Sequence, residues 1–186
     1  MSLPISKYYF TVAEYERMGE AGVFHQDARL ELIEGEIIEM SPISSRHAAC
    51  VNFLSRFLNR TIGDIALVSI QNPIRLNDFS EPQPDVVLLQ LRDDFYRGAH
   101  PTPADVLLII EVADTTLEYD RQVKAPLYAK AGIAETWIVN LTEERIEIYA
   151  GLSGSAYQTI GHFRRGEEAR AHILDNLSVS VADVLG

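Results

Sequence analysis

The chain has 186 residues, enough to bury one sizeable core, and we predict a single domain over residues 1–186. Hydrophobic residues make up 47% and charged residues 23%, a composition that excludes a mostly disordered protein. The net charge of −11 argues against a general nucleic-acid coat protein, but not against an enzyme whose carboxylates bind metal ions.

Three features predict a cytoplasmic protein without membrane contact. The longest apolar run, Val106–Ile110, is too short to cross a bilayer. The N-terminus has no basic segment followed by an apolar core, so no secretory signal is expected. A lone Cys50 cannot form an internal disulfide.

The first half of the chain is predicted to contain two helices and a hairpin. Thr11–Gly19 has the capping threonine, the glutamate three residues later and the terminal glycine of a short helix. Leu30–Glu34 and Glu36–Met40 are predicted to be the strands of a β-hairpin that turns at Gly35. His47–Ile62 has apolar residues at helical spacing, and a glycine follows it.

The second half is richer in predicted strands. Asp85–Leu89 and Val106–Val112 are almost wholly apolar, so we expect interior strands covered on both faces. A helix over residues 116–131 contains Pro126, which predicts a kink or a late start. This order favours an α/β (α+β) fold with a mixed sheet flanked by helices. The other predicted elements are strands Ile65–Ile70, Thr136–Leu141 and Arg145–Ala150, one or two edge strands after Ala156, and a helical turn at Val181–Leu185.

Two acidic residues stand at the ends of the apolar strands. Asp85 begins one strand, directly after Pro84, and Glu111 lies near the end of the next. If the strands are neighbours, both carboxylates face one space, where they repel each other unless a cation binds. Carboxylate oxygens suit Mg²⁺ or Mn²⁺, which activates water and offsets charge on a phosphoryl oxygen. Either acid alone is better explained as a turn, cap or ion-pair residue, so the prediction depends on their combination.

Five short segments carry a further signal: residues 29–36 (RLELIEGE), 83–87 (QPDVV), 110–112 (IEV), 124–128 (KAPLY) and 131–139 (AGIAETWIV). None is specific alone, but in this order they resemble the successive motifs of the Uma2 family, over about residues 11–149. That family resembles the restriction-endonuclease-like fold of the PD-(D/E)XK nucleases. The resemblance implies a mixed four-stranded sheet core with an N-terminal β-hairpin, and metal-dependent hydrolysis of phosphodiester bonds.

The resemblance also assigns roles to individual residues. Asp85 matches the Asp of the PD motif, and Glu111 matches the first acid of the (D/E)XK motif. Ala113 stands where that motif has lysine, so the resemblance implies that Lys124 on the following helix holds the attacking water or the charged phosphate oxygens. Glu31 resembles the acid of the early hairpin, which adds or orients a metal ligand. The implied catalytic set is Asp85, Glu111, Lys124 and Glu31, with Mg²⁺ or Mn²⁺ bound by Asp85 and Glu111.

Each of these roles has a plainer alternative. A solvated helix lysine accounts equally well for Lys124, and an ordinary strand-face charge for Glu31. His47 is matched in the family as a candidate base, but a structural hydrogen bond at a helix end is the favoured interpretation. We also expect Asp114 and Asp120 to cap the following helix. Tyr128 and Trp137 are expected in the core.

Three functions fit these residues. The first is a metal-dependent endonuclease with DNA as its substrate, expected to act as a homodimer because duplex cleavage by this fold class uses two sites. The second is a non-catalytic binding or assembly module that retains the nuclease fold. The third is hydrolysis of a different substrate at the same metal site, since fold does not determine function.

Overall fold

A six-stranded mixed β-sheet forms the centre of the fold, and helices flank it. The computed structural model describes residues 6–186; residues 1–5, which the predicted single domain includes, lie outside the described residues. The helices are α1 (Val12–Glu20), α2 (Ser45–Ile62), α3 (Leu117–Tyr119), α4 (Ala125–Lys130) and α5 (Val181–Leu185), with a 3₁₀ turn at Pro103–Asp105 and a π-helical segment at Asp120–Lys124. The strands are β1 (Leu30–Ile33), β2 (Glu36–Glu39), β3 (Leu67–Ile70), β4 (Val86–Leu89), β5 (Val106–Ala113), β6 (Thr136–Asn140), β7 (Arg145–Ser153), β8 (Ala156–Arg164), β9 (Glu168–Arg170) and β10 (Ser178–Ser180).

The strand order in the central sheet is β3-β4-β5-β6-β7-β8. β5 and β6 are parallel and are joined by the helical crossover over residues 117–130, whereas all other neighbours are antiparallel. The predicted mixed sheet is therefore confirmed, and so is the hairpin, since β1 and β2 form a separate two-stranded sheet. The sheet has six strands, two more than the four-stranded core that the resemblance implied; its edges are β3, which pairs with β4, and β8, which pairs along β7 where the chain turns back.

Both faces of the central strands are buried. Along β4, Val86 and Leu88 belong to the apolar cluster that includes α2 and α5, whereas Val87 and Leu89 belong to the cluster that includes α4. Every residue of β4 and nearly every residue of β5 is buried, which confirms the prediction of interior strands. Any charged side chain at the ends of these strands is consequently enclosed by packed elements.

The helix starts follow from capping residues. Thr11 caps α1, and its hydroxyl and the Glu14 carboxylate bind each other's backbone N–H groups, as the sequence predicted. α2 begins two residues earlier than predicted because the Ser44 hydroxyl accepts a hydrogen bond from the His47 backbone N–H. No helix among residues 6–186 is long and apolar enough to span a membrane.

The crossover helix contains one wide turn. Between α3 and α4 the backbone is π-helical, and the Ala125 N–H donates to the Asp120 carbonyl five residues back. The Pro126 ring lacks an N–H and lies in the first turn of α4, directly after the wide turn, but helical backbone already begins at Leu117, so the predicted late start is wrong. The wide turn directs Asp120 and Lys124 inward, where both are buried.

Candidate active site

A cavity of about 390 Å³ opens where the hairpin, the start of α2, the end of β5 and the crossover helix meet. Its wall includes all four residues that the resemblance assigned to catalysis, together with a fifth buried charged residue. These are Glu31 on β1, Asp85 before β4, Glu111 on β5, and Asp120 and Lys124 on the π-helical segment. All five are nearly inaccessible to solvent.

Asp85 and Glu111 meet because β4 and β5 pair antiparallel. Val86 lies opposite Ile110, so one step further along the ladder Asp85 reaches Glu111. The Asp85 backbone N–H donates to Glu111 Oε2 at 3.4 Å, and the Val112 N–H donates to Asp85 Oδ2 at 2.8 Å. Both acids therefore share one space, as the spacing in the sequence suggested.

Asp85 is held as a carboxylate by three donors. His47 Nε2 lies 2.9 Å from Oδ1, Gln71 Nε2 donates to the same oxygen at 3.0 Å, and Val112 donates to the other oxygen. Burial alone raises the pKa of Asp85, but these hydrogen bonds and the His47 charge outweigh it and lower the pKa. The favoured interpretation of His47 was a structural hydrogen bond, and its partner is the acid predicted to bind metal.

Lys124 points into the cavity rather than into solvent. Its Nζ lies 3.2 Å from Glu31 Oε2 and 3.3 Å from Glu111 Oε1, and only 5% of the residue is exposed. Burial lowers the pKa of Lys124, but the surrounding carboxylates raise it further, so the ammonium keeps its charge. The alternatives of a solvated helix lysine and an ordinary strand-face glutamate are both wrong, because both side chains are buried and pair with each other.

Glu111 has a partner that the sequence interpretation missed. Tyr128 is fully buried, as expected of a core residue, but its hydroxyl also donates to Glu111 Oε1 at 2.5 Å. Burial raises the pKa of Glu111, Lys124 lowers it, and Asp120 and Asp85 raise it again, so the pKa stays above its ordinary value. An apolar sequence context gave no signal of this hydrogen bond.

The sequence interpretation expected Asp120 to cap the crossover helix, but it lies in the cavity wall. It does not cap a helix; its Oδ2 accepts a hydrogen bond from the Thr116 hydroxyl at 2.7 Å inside the cavity wall. Burial raises the pKa of Asp120 to about 6. Asp114 does not cap the crossover helix either, since its Oδ2 accepts from the Ser44 hydroxyl at 2.7 Å. The separation of four residues between Asp120 and Lys124 was the available clue, because such pairs share a helix face.

The donor set fits a hard divalent cation. The cavity wall contains four buried carboxylates, and within residues 6–186 the cations that contact them are Lys124 and His47, so a bound cation would offset uncompensated negative charge. Among residues 6–186, no three His, Cys, Asp or Glu side chains are grouped as a metal cage. Mg²⁺ commonly takes one or two carboxylates and keeps several waters, so Asp85 and Glu111 fit such a site.

These features define a class. A mixed sheet carrying two acids on adjacent strands, with a lysine from the following helix, is the arrangement of a restriction-endonuclease-like protein. The chain belongs to the Uma2 family, whose model is described as "Putative restriction endonuclease" and matches residues 12–182.

The fold is similar to that of a solved structure over nearly the whole chain. That structure is described as a "putative nuclease belonging to DUF820" from Anabaena variabilis ATCC 29413. The two have a TM-score of 0.72 and 15% sequence identity, and the alignment covers 95% of this chain and 97% of the other. At this identity the likeness establishes the fold alone. No curated protein matches the chain in sequence.

Proposed function

We propose that the chain is a Mg²⁺- or Mn²⁺-dependent endonuclease that hydrolyses phosphodiester bonds of DNA. The observation that carries this proposal is the gathering of Asp85, Glu111 and Lys124, from three separate segments, in one cavity. Membership of a family whose model is described as "Putative restriction endonuclease" supports a nucleic-acid substrate.

Each residue has a distinct part in the proposed reaction. Asp85 and Glu111 bind the metal, which when bound supplies a Lewis acid and an activated water. Lys124 donates to the phosphate oxygens on which charge develops. Glu31 orients Lys124 through the ion pair at 3.2 Å. His47 orients Asp85 through the contact at 2.9 Å.

Cleavage of plasmid DNA by the purified chain tests the proposal. Wild type is expected to cut in Mg²⁺ or Mn²⁺ and to stop when EDTA removes the metal. Asp85→Asn and Glu111→Gln keep size and shape but remove the charge that holds the metal, so each should slow cleavage by roughly a hundredfold or more. Asp64→Asn, at an exposed acid after α2, is the matched control and should cut like wild type.

The stability of Asp85→Asn needs a separate measurement. The asparagine amide N–H₂ replaces a carboxylate oxygen that accepts a hydrogen bond, so it faces a donor where the wild type has an acceptor. We expect its melting temperature to fall modestly while circular dichroism stays native. Added metal should raise the melting temperature of wild type but not of either variant. A wild type that neither cuts DNA nor gains stability from Mn²⁺ would contradict the proposal and favour the non-catalytic binding module.

A further inference from the structure

Nearly all buried donors in the cavity wall already have a protein partner. Lys124 is paired with two glutamates, and His47 with Asp85. The remaining pairs are the Ser44 hydroxyl with Asp114 at 2.7 Å and the Thr116 hydroxyl with Asp120 at 2.7 Å, while Arg29 Nη1 makes an exposed hydrogen bond to the Ser41 carbonyl at 3.1 Å. Lys124 keeps a third N–H for a ligand, whereas the Ser44 and Thr116 hydroxyls could donate elsewhere only by breaking a contact.

Tyr119 is the exception. It lies in the wall of the same cavity, at the end of α3, and its hydroxyl is buried without a hydrogen-bond partner among residues 6–186. Its charged neighbours are Glu31, Lys124, Asp120 and Glu36. A buried hydroxyl without a partner destabilises the fold, because it has lost its hydrogen bonds to water without replacing them. An acceptor that enters the cavity could satisfy it after a small shift of the wall, because the hydroxyl oxygen itself has almost no accessible surface.

We propose that the Tyr119 hydroxyl binds substrate, by donating a hydrogen bond to a non-bridging oxygen of a DNA phosphate in the cavity. This inference rests on the proposed nuclease function and names a substrate contact for it. Phosphate oxygens are acceptors only, and the Tyr119 hydroxyl is the unpaired buried donor of the described cavity wall.

The surrounding charges set a condition on this contact. Glu31, Asp120 and Glu36 repel an anion, so the phosphate reaches Tyr119 only together with a divalent cation that offsets them. The hydroxyl itself stays protonated at neutral pH, because burial raises the pKa of Tyr119 to about 12. It therefore remains a donor under the conditions in which the nuclease would act.

Tyr119→Phe, which removes only the hydroxyl, tests the proposal with two independent readouts. The first is calorimetric binding of thymidine 3′,5′-bisphosphate in Mg²⁺, and we expect the affinity to fall about tenfold or more, as for a lost hydrogen bond to a charged group. The second is plasmid cleavage, for which a similar fall in kcat/KM is expected. The melting temperature should stay unchanged or rise, because an unpaired polar group is removed.

Tyr96→Phe is the matched control. The Tyr96 hydroxyl donates to the Gln90 carbonyl at 2.7 Å, away from the cavity, so its loss should lower the melting temperature and leave bisphosphate binding unchanged. A comparable fall in melting temperature for Tyr119→Phe would overturn the proposal, because it would reveal a protein partner for the hydroxyl.

The failure of this contact and the failure of the nuclease are distinguishable. Equal bisphosphate affinity in wild type and Tyr119→Phe overturns the Tyr119 contact, even if wild type cuts DNA. Absence of bisphosphate binding to wild type also overturns it. Tyr119-dependent binding by a wild type that cuts no DNA supports the contact and overturns the nuclease.

Discussion

Single residues in this protein are stabilised by contacts that cross between elements. Glu147 on β7 is 1% exposed, and Arg121 from the crossover helix donates to both of its carboxylate oxygens. Asn140 Nδ2 and Arg145 Nε each donate at 3.0 Å to Glu147 Oε1. This ion pair ties the segment that carries Lys124 to the sheet, on the side of the helix away from the cavity.

The stability contributed by Glu147 should depend on pH. Burial alone raises its pKa, but the hydrogen bonds from Arg121, Asn140 and Arg145 outweigh burial and lower the pKa from 4.5 to about 2. A lowered pKa stabilises the folded state fully above pH 4.5, and this contribution is lost as the pH falls toward 2. In urea unfolding, Glu147→Gln should cost about 2 to 3 kcal/mol at pH 7 and progressively less below pH 4.5.

The exposed Glu143, which also pairs with Arg121 and Arg145, is the control for that experiment. Glu143→Gln should cost well under about 1 kcal/mol at every pH, since solvent screens its charge. A constant difference between Glu147→Gln and wild type from pH 7 to pH 2 would contradict the argument.

At the scale of elements, turns determine which side chains reach the cavity. The hairpin carries Glu31 on β1, and its turn has two consecutive left-handed residues, Glu34 with φ +47° and Gly35 with φ +82°. A Cβ on Gly35 would stand 2.6 Å from Tyr9 Cβ, closer than real Cβ contacts. Glycine is therefore required here by both backbone conformation and space.

Gly35→Ala should lower the free energy of unfolding by roughly 1 to 3 kcal/mol, because it adds a steric clash to an unfavourable φ. Gly22→Ala is the matched control, since Gly22 has φ +70° but a Cβ added there would have nothing within 4 Å. Urea unfolding measures both. Equal costs for the two substitutions would show that the approach of Tyr9 contributes nothing to the turn.

At the scale of the whole molecule, the central sheet ends in two open edges, β3 and β8. The tail strand β8 is largely exposed, and Ile160 on it is 51% exposed. An exposed apolar edge favours pairing with another chain. The homodimer expected from the sequence stays a prediction, as do the single domain and the cytoplasmic location.

Light scattering over a wide concentration range tests the dimer. Wild type is expected at twice the chain mass, and Ile160→Lys should shift it toward the monomer, because a buried lysine opposes strand pairing. Ile65→Lys, at an apolar residue near β3 that is 49% exposed, should leave the dimer intact. A wild-type monomer at every concentration would contradict the dimer. If Ile65→Lys dissociates the dimer and Ile160→Lys does not, the interface lies at the β3 edge rather than the β8 edge.

Local rules in the sequence were enough to predict most elements and part of the site. The capping box at Thr11, the glycine turn at Gly35 and the apolar runs of β4 and β5 depend on neighbouring residues only. The meeting of Asp85 and Glu111 followed from two adjacent apolar strands, and Lys124 from the resemblance.

Tertiary structure alone decided the rest of the site. Whether Asp120 caps a helix or enters the cavity depends on the π-helical turn. Whether Tyr128 and Tyr119 are ordinary core residues depends on the hydrogen bonds of their hydroxyls. The Tyr128 hydroxyl donates to Glu111, whereas the Tyr119 hydroxyl has no partner among residues 6–186. The number of strands likewise depended on the pairing of β8 with β7. A sequence pattern predicts which side of an element is buried, but the partner of a buried polar atom is supplied by residues far away in the chain.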